Sequence, residues 1–309
     1  MRTIQQVCLI GLGAVGSAYA AKMYATAPDL VKIIVDHKRW EEYHRHEVRV
    51  NGITYPFLLV TPDRAKGPAD LIMIAVKQHH LAEALREIRP FVGKETIILS
   101  LLNGITSEEL IGKEYGMENL LYAFVVGTDA TREGRVTRYS NLGEIVFGEK
   151  VNLVYSPKVE AVKELFDRTQ VPYRIPNDMI REQWWKFMMN VGINQVSAIL
   201  KAPYLVFQEI KEARELMEMA CREVLRIAEK KGINLIEDDI RRYHQLIAEL
   251  SPEGKTSMLQ DVEAGRKTEV ESFAGTVVAL GREHGVDTPV NACLLRMLST
   301  LEQTSLNKF

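Results

Sequence analysis

Lys186, Asn190 and Asn194 recur at every fourth position in an otherwise apolar run, Trp184-Trp185-Lys186-Phe187-Met188-Met189-Asn190-Val191-Gly192-Ile193-Asn194. On an α-helix each step of four advances about 40°, so the amine and two carboxamides share a stripe of roughly 80°. Trp, Phe, Met, Val and Ile fill the rest, and a helix so apolar is buried on most sides. A buried ammonium and two buried amides are costly unless a partner satisfies them, which a bound polar substrate would do. The chemistry on offer is proton delivery by the amine and hydroxyl recognition by amides that both donate and accept. A helix with one solvated face is the plainer alternative.

A second constellation lies near the start. Gly11-Leu12-Gly13-Ala14-Val15-Gly16 follows the apolar run Val7-Cys8-Leu9-Ile10 and opens a helical stretch. Gly11 permits a tight turn, Gly13 lets a pyrophosphate approach the backbone, and Gly16 allows close packing of helix on strand. The N–H groups of Leu12, Ala14 and Val15 belong to the same phosphate-binding turn. The acidic Asp36 comes 20 residues after Gly16, at the end of a second strand, which strengthens the reading as a dinucleotide site. A carboxylate there accepts hydrogen bonds from an adenosine ribose and favours NAD. His37, Lys38 and Arg39 could instead serve a 2′-phosphate, or Lys38 and Arg39 stand as solvated loop residues. Lys77 and Asn103-Gly104 follow two further strand ends, where open α/β sheets bind ligands; Asn103-Gly104 also reads as a plain turn.

Ser257 and Glu269 lie twelve residues apart around Gly265. Ser257 suits either a helix cap or an anion contact, and Glu269 suits either a ligand contact or an acid in the first turn of a helix.

The elements that must carry these residues fall into two halves. Residues 7–10, 32–35, 71–76 and 96–101 read as buried parallel strands, with helices over 14–25 and 79–88. Three short strands, 121–126, 135–139 and 144–147, are expected to extend the same sheet. Beyond residue 178 the pattern is helical, over 178–200, 207–231, 236–250, 256–264, 267–285 and 290–303. Pro172 and Pro176 interrupt both periodicities, so the expected domains are 1–177, which binds the dinucleotide, and 178–309, which binds substrate and holds the catalytic residue. A chain of 309 residues exceeds one ordinary core, in keeping with two domains. Its 39 Lys plus Arg against 41 Asp plus Glu show no excess charge for nucleic acid or a membrane surface. Cys8, Cys221 and Cys293 form no metal spacing and no disulfide framework, so no metal is expected and a reducing cytoplasm suits them. No apolar run is long enough to span a bilayer. An exposed apolar patch on the final helices would support a homodimer.

Taken in order, these motifs resemble the ketopantoate reductase (2-dehydropantoate 2-reductase) family: Gly11-x-Gly13-x-x-Gly16, Val76-Lys77, Asn103-Gly104, Trp185-Lys186-x-x-x-Asn190-x-x-x-Asn194, Ser257-Met258-Leu259-Gln260-Asp261 and Thr268-Glu269-Val270. The resemblance implies an N-terminal Rossmann-like α/β domain and an all-α C-terminal domain of the 6-phosphogluconate dehydrogenase-like type. It implies reduction of 2-dehydropantoate to (R)-pantoate for pantothenate and coenzyme A synthesis. Lys186 then matches the general acid. Asn103, Asn190, Asn194 and Ser257 match substrate contacts; Lys77, Asn103 and Glu269 match cofactor-side residues. NADPH is the cofactor the family implies, with NADH left open by Asp36. This chain departs from the family pattern at Leu102, where a Gln is usual, and at Tyr204, where an Asn is frequent. Another 2-oxo acid on the same scaffold, and a nucleotide-binding sensor without catalysis, are the competing readings.

Overall fold

A computed structural model describes the backbone of residues 3–307 and the side chains of 3–304. The chain forms two compact units, one of residues 1–103 with 107–179, the other of 104–106 with 180–309.

The first unit is built on strands β1 (Val7–Ile10), β2 (Val31–Ile34), β3 (Val48–Val50), β4 (Ile53–Tyr55), β5 (Leu58–Val60), β6 (Leu71–Ile74), β7 (Ile97–Ser100), β8 (Leu120–Val126), β9 (Thr131–Glu133), β10 (Val136–Arg138), β11 (Glu144–Gly148) and β12 (Tyr173–Arg174). Helices α1 (Ala14–Thr26), α2 (His37–Arg45), α3 (Leu81–Ile88), α4 (Ser107–Tyr115) and α5 (Pro157–Thr169) accompany them. The main sheet has the order β12-β11-β8-β7-β6-β1-β2-β5. Its strands from β5 to β8 run parallel, and β8 pairs antiparallel with β11. Val7 and Leu9 point into one apolar cluster while Cys8 and Ile10 point into another, so the sheet is covered on both faces. Because β1 lies between β2 and β6, the strand order reverses beside it, and that switch point is where such sheets place ligands.

β10 does not extend this sheet as expected. It joins a separate sheet of order β4-β3-β10-β9. Gly134, at φ 57°, turns the chain back so that β10 pairs antiparallel with β9, and its other edge is taken by β3. Residues 37–45, read partly as loop, form α2, with Trp40 and Tyr43 packed on the core beneath a charged outer face.

The second unit contains α6 from Ile180 on (Met179–Met189), a π turn (Asn190–Asn194), α7 (Gln195–Leu200), α8 (Tyr204–Glu209), α9 (Lys211–Lys230), α10 (Glu237–Glu249), α11 (Ser257–Glu263), α12 (Ala274–His284) and α13 (Pro289–Asn307). Its apolar core joins Trp184, Phe187, Met188 and Val191 to Met217, Cys221, Val224, Phe273, Val277 and Leu298. Two expectations change here. The helix over 178–200 is interrupted by the π turn, and the helix over 267–285 resolves into a 3-10 turn (Val270–Ser272) followed by α12. At the second break Glu302 accepts hydrogen bonds from both N and Oγ1 of Thr268, redirecting the chain before α12 begins.

On α12 and α13, Met297 is the exposed large apolar side chain among the described residues. The more continuous exposed apolar run is Val151, Leu153, Val154 and Tyr155 in the first unit. The patch expected on the final helices therefore reduces to Met297. Among the described residues no helix is long and apolar enough to cross a membrane, and no cluster of His, Cys, Asp and Glu is placed to hold a metal ion.

Candidate functional site

In the first unit the four expected positions stand at the carboxyl ends of four adjacent parallel strands. Asp36 follows β2, the glycine turn follows β1, Lys77 follows β6 and Asn103 follows β7. The three glycines have different causes. Gly11 sits at φ 101°, and a Cβ there would lie 2.6 Å from the Ala75 carbonyl oxygen. A Cβ on Gly16 would lie 1.9 Å from the Gly11 oxygen. Both glycines are required by the fold itself. Gly13 is not: its φ is −75°, and a Cβ would meet nothing nearer than the Ala75 oxygen at 3.8 Å. Nothing inside the chain asks for glycine at that point, whereas a ligand approaching the backbone would. Gly13 is also the N-cap of α1, makes no side-chain cap bond and has no acid in the following turn. The free N–H groups there suit a pyrophosphate, so the residues present fit a dinucleotide.

Beyond the end of β2, Asp36 is the N-cap of α2. Its Oδ1 accepts from the Arg39 backbone N–H at 2.6 Å, and its Oδ2 lies 3.2 Å from Arg39 Nη1. Lys38 and Arg39 are therefore helical residues rather than a solvated loop, and Arg39 already neutralises the carboxylate. Nearby, the Arg64 guanidinium lies 5.1 Å from the Trp40 ring centre, and His37 Nε2 is 3.2 Å from Asp63. Arg64 joins this group only through the fold, since it lies in the 3-10 turn after β5 (Pro62–Arg64) and Trp40 lies on α2.

In the second unit Lys186, Asn190, Asn194 and Glu269 come together. The π turn winds through less than 100° per residue, so four steps bring Asn194 back over Asn190 rather than 40° past it. Asn194 Nδ2 donates to Asn190 Oδ1 at 3.3 Å. The expected wide stripe is thus narrower at its far end. Among the described residues no group accepts from Asn190 Nδ2, although that atom is buried. Gly192 makes the turn possible, since a Cβ there would lie 2.5 Å from Cys221 Sγ on α9.

Burial lowers the Lys186 pKa from the ordinary 10.5 to about 8, against the opposing pull of the Glu269 carboxylate. Glu269 is buried and precedes a 3-10 turn, so it is not an exposed first-turn acid of a long helix. Ser257 does not cap α11: Thr256 does, its Oγ1 accepting from Leu259 N at 3.2 Å. Ser257 is left exposed on the first residue of a helix that packs against α7 and the π turn. Asp261 holds the turn that follows, with its carboxylate 2.9 Å from Arg266 Nε.

The sequence of residues 7–152 matches the family described as Ketopantoate reductase PanE/ApbA, and residues 178–302 match Ketopantoate reductase PanE/ApbA C terminal. Together these stretches take in most of the chain, which belongs to the ketopantoate reductase family of oxidoreductases. The 2-dehydropantoate 2-reductase of Aquifex aeolicus is 26% identical over 313 residues, covering 98% of this chain and 99% of its own. In structure the chain is similar to 2-dehydropantoate 2-reductase from Geobacter metallireducens, with a TM-score of 0.85 at 24% identity over 96% of this chain and 99% of that one. D-mandelate dehydrogenase, solved with NADH and anilino(oxo)acetate, gives a TM-score of 0.86 at 22% identity over 97% of this chain and 99% of that one.

Proposed function

We propose that this chain reduces 2-dehydropantoate to (R)-pantoate, with NADPH as the preferred donor and Lys186 as the proton source. The observation that carries the reading is the placing of Lys186, within the field of the Glu269 carboxylate, one turn before an unsatisfied buried donor at Asn190. A buried N–H without an acceptor costs about 1–3 kcal/mol, which a substrate hydroxyl or carbonyl oxygen would recover.

A reduced nicotinamide, when bound, supplies the hydride. As carbon accepts it, charge grows on the carbonyl oxygen, and Lys186 stabilises that charge and delivers its proton. A pKa of about 8 leaves Lys186 protonated at neutral pH and acidic enough to give the proton up. Glu269 keeps it from losing its charge altogether. Asn190, held by Asn194, offers its amide to the substrate, with Ser257 and Asn103 as the further polar contacts. Lys77 and the glycine turn hold the cofactor in this reading, with Glu269 as a further cofactor-side residue.

The Asp36–Arg39 pair supports NADPH. A carboxylate already engaged by a guanidinium repels a 2′-phosphate less, and Arg39 can pair with that phosphate directly. The test is an activity panel of 2-dehydropantoate and other 2-oxo acids with NADPH and NADH, followed at the nicotinamide absorbance. Turnover on 2-dehydropantoate well above the other acids supports the reading. Preference for another acid, or cofactor binding without turnover, contradicts it.

A further inference from the structure

Gln195, the first residue of α7, is fully buried, and every polar atom of its side chain is engaged. Nε2 donates to the Val191 carbonyl in the π turn at 2.8 Å and to Asn291 Oδ1 at 3.1 Å, while Oε1 accepts from Ala274 N at 3.1 Å. Asn291 is itself anchored: its Nδ2 donates to Glu223 Oε2 at 2.7 Å and to the Ala220 carbonyl at 3.2 Å. The buried Glu223 carboxylate accepts from Val290 N at 2.8 Å and Asn291 N at 2.9 Å, at the first turn of α13. One carboxamide therefore ties three elements. The π turn continues the helix of Lys186, Ala274 begins α12 directly after the segment of Glu269, and Asn291 connects both to α9 and α13.

A leucine of similar size would fill the same core space without needing three partners. A buried amide costs stability unless fully satisfied, and fully satisfied networks fix one geometry. Two of its partners, Val191 and Ala274, lie on the segments that continue from Lys186 and from Glu269. We infer that Gln195 is a positioning residue, clamping the π turn to the segment after Glu269 so that Lys186 stays buried beside that carboxylate. The inference rests on the reading of Lys186 as proton donor, and it adds a structural element that the motif residues do not include.

The variant Gln195→Met keeps the size and removes all three bonds. If Gln195 acts through Lys186, kcat falls by on the order of tenfold to a hundredfold, the scale of a misplaced catalytic group, while cofactor affinity is unchanged. A second readout needs no substrate: the pH at which Lys186 becomes reactive in competitive acetylation of the unliganded protein. Burial is the larger influence on this lysine, so loosening the clamp moves that pH upward from about 8 toward the ordinary range. Asn291→Ser cuts the outer tie and leaves Gln195 in place; it shows a smaller upward shift and decides the matter if Gln195→Met does not fold. Folded variants with wild-type acetylation profiles overturn the inference, even if turnover has dropped. Because acetylation is read without substrate, the clamp is tested even if the protein proves inactive on 2-dehydropantoate. Full turnover by Lys186→Ala would instead sink the proton-donor reading alone.

Discussion

Asn194 donates through Nδ2 to Oδ1 of Asn190 at 3.3 Å, which leaves Asn190 Nδ2 with no acceptor among the described residues. In the proposed reaction the pair is a relay of orientation, in which Asn194 fixes the flip of Asn190 and Asn190 meets the substrate. Replacing Asn190 by Ala removes the donor itself and should raise KM about tenfold or more, the cost of one buried hydrogen bond. Asn194→Ala should act more weakly, and its effect should largely vanish in the Asn190→Ala background. Additive losses in a double-mutant cycle would show that the two amides bind independently.

If Lys186 is the proton donor, as proposed, its lowered pKa sets the basic side of the pH profile. With a pKa of about 8, the protonated donor is lost as pH rises through that value, so kcat should fall on the basic side there. Glu269 raises this pKa, so Glu269→Gln should move the basic limb to lower pH. A limb that stays in place after that substitution would separate the two residues.

The same group carries a stability consequence. Its folded pKa lies below the unfolded value of 10.5, so between about 8 and 10.5 the unfolded chain binds more protons and stability rises with pH. Below that window the buried ammonium is a net cost of up to ~3 kcal/mol, by the conversion of pKa shift to free energy. Lys186→Met should therefore raise the melting temperature at pH 7 and lose this advantage above pH 10. A destabilised variant at pH 7 would mean that the ammonium is better satisfied than its burial suggests.

The glycines should separate fold from ligand. Gly16→Ala forces a Cβ to within 1.9 Å of the Gly11 oxygen and should cost about 1–3 kcal/mol of stability, as overpacking does. Gly13→Ala has room within the chain and should leave the melting temperature nearly unchanged while weakening cofactor binding. Calorimetry of both variants with NADPH checks this; a destabilised Gly13→Ala would return the glycine to a structural role.

The proposed preference for NADPH rests on the Asp36–Arg39 pair. Arg39→Ala should weaken NADPH binding by roughly tenfold to a hundredfold, the value of one charge-assisted contact, and leave NADH almost untouched. Asp36→Ala should move preference further toward NADPH. Unchanged affinity ratios in both variants would place neither residue at the 2′ position.

Much of this architecture could be read from residue order. The run 7–16 announces its strand, turn and helix, since glycine needs and β-branched runs are local properties. The four-residue recurrence of Lys186, Asn190 and Asn194 likewise marks a face. What stayed hidden depended on contacts distant in sequence. The π turn arises where Gly192 lets the chain approach Cys221 and Gln195 reaches across to Ala274 and Asn291, and no periodicity of 3.6 reveals it. The cap of α11 passed from Ser257 to Thr256 by one position, a shift beyond what pattern reading resolves. In α2 charged residues mask the apolar pair Trp40 and Tyr43, and β10 leaves the main sheet because it pairs with β3 and β9.

The most direct test of the account is single-turnover reduction of 2-dehydropantoate by the Lys186→Ala variant, with cofactor affinity measured in parallel. Loss of a general acid predicts a chemical step slowed by about two to four orders of magnitude at unchanged cofactor affinity. A near wild-type rate would contradict the assignment of Lys186 as the proton donor.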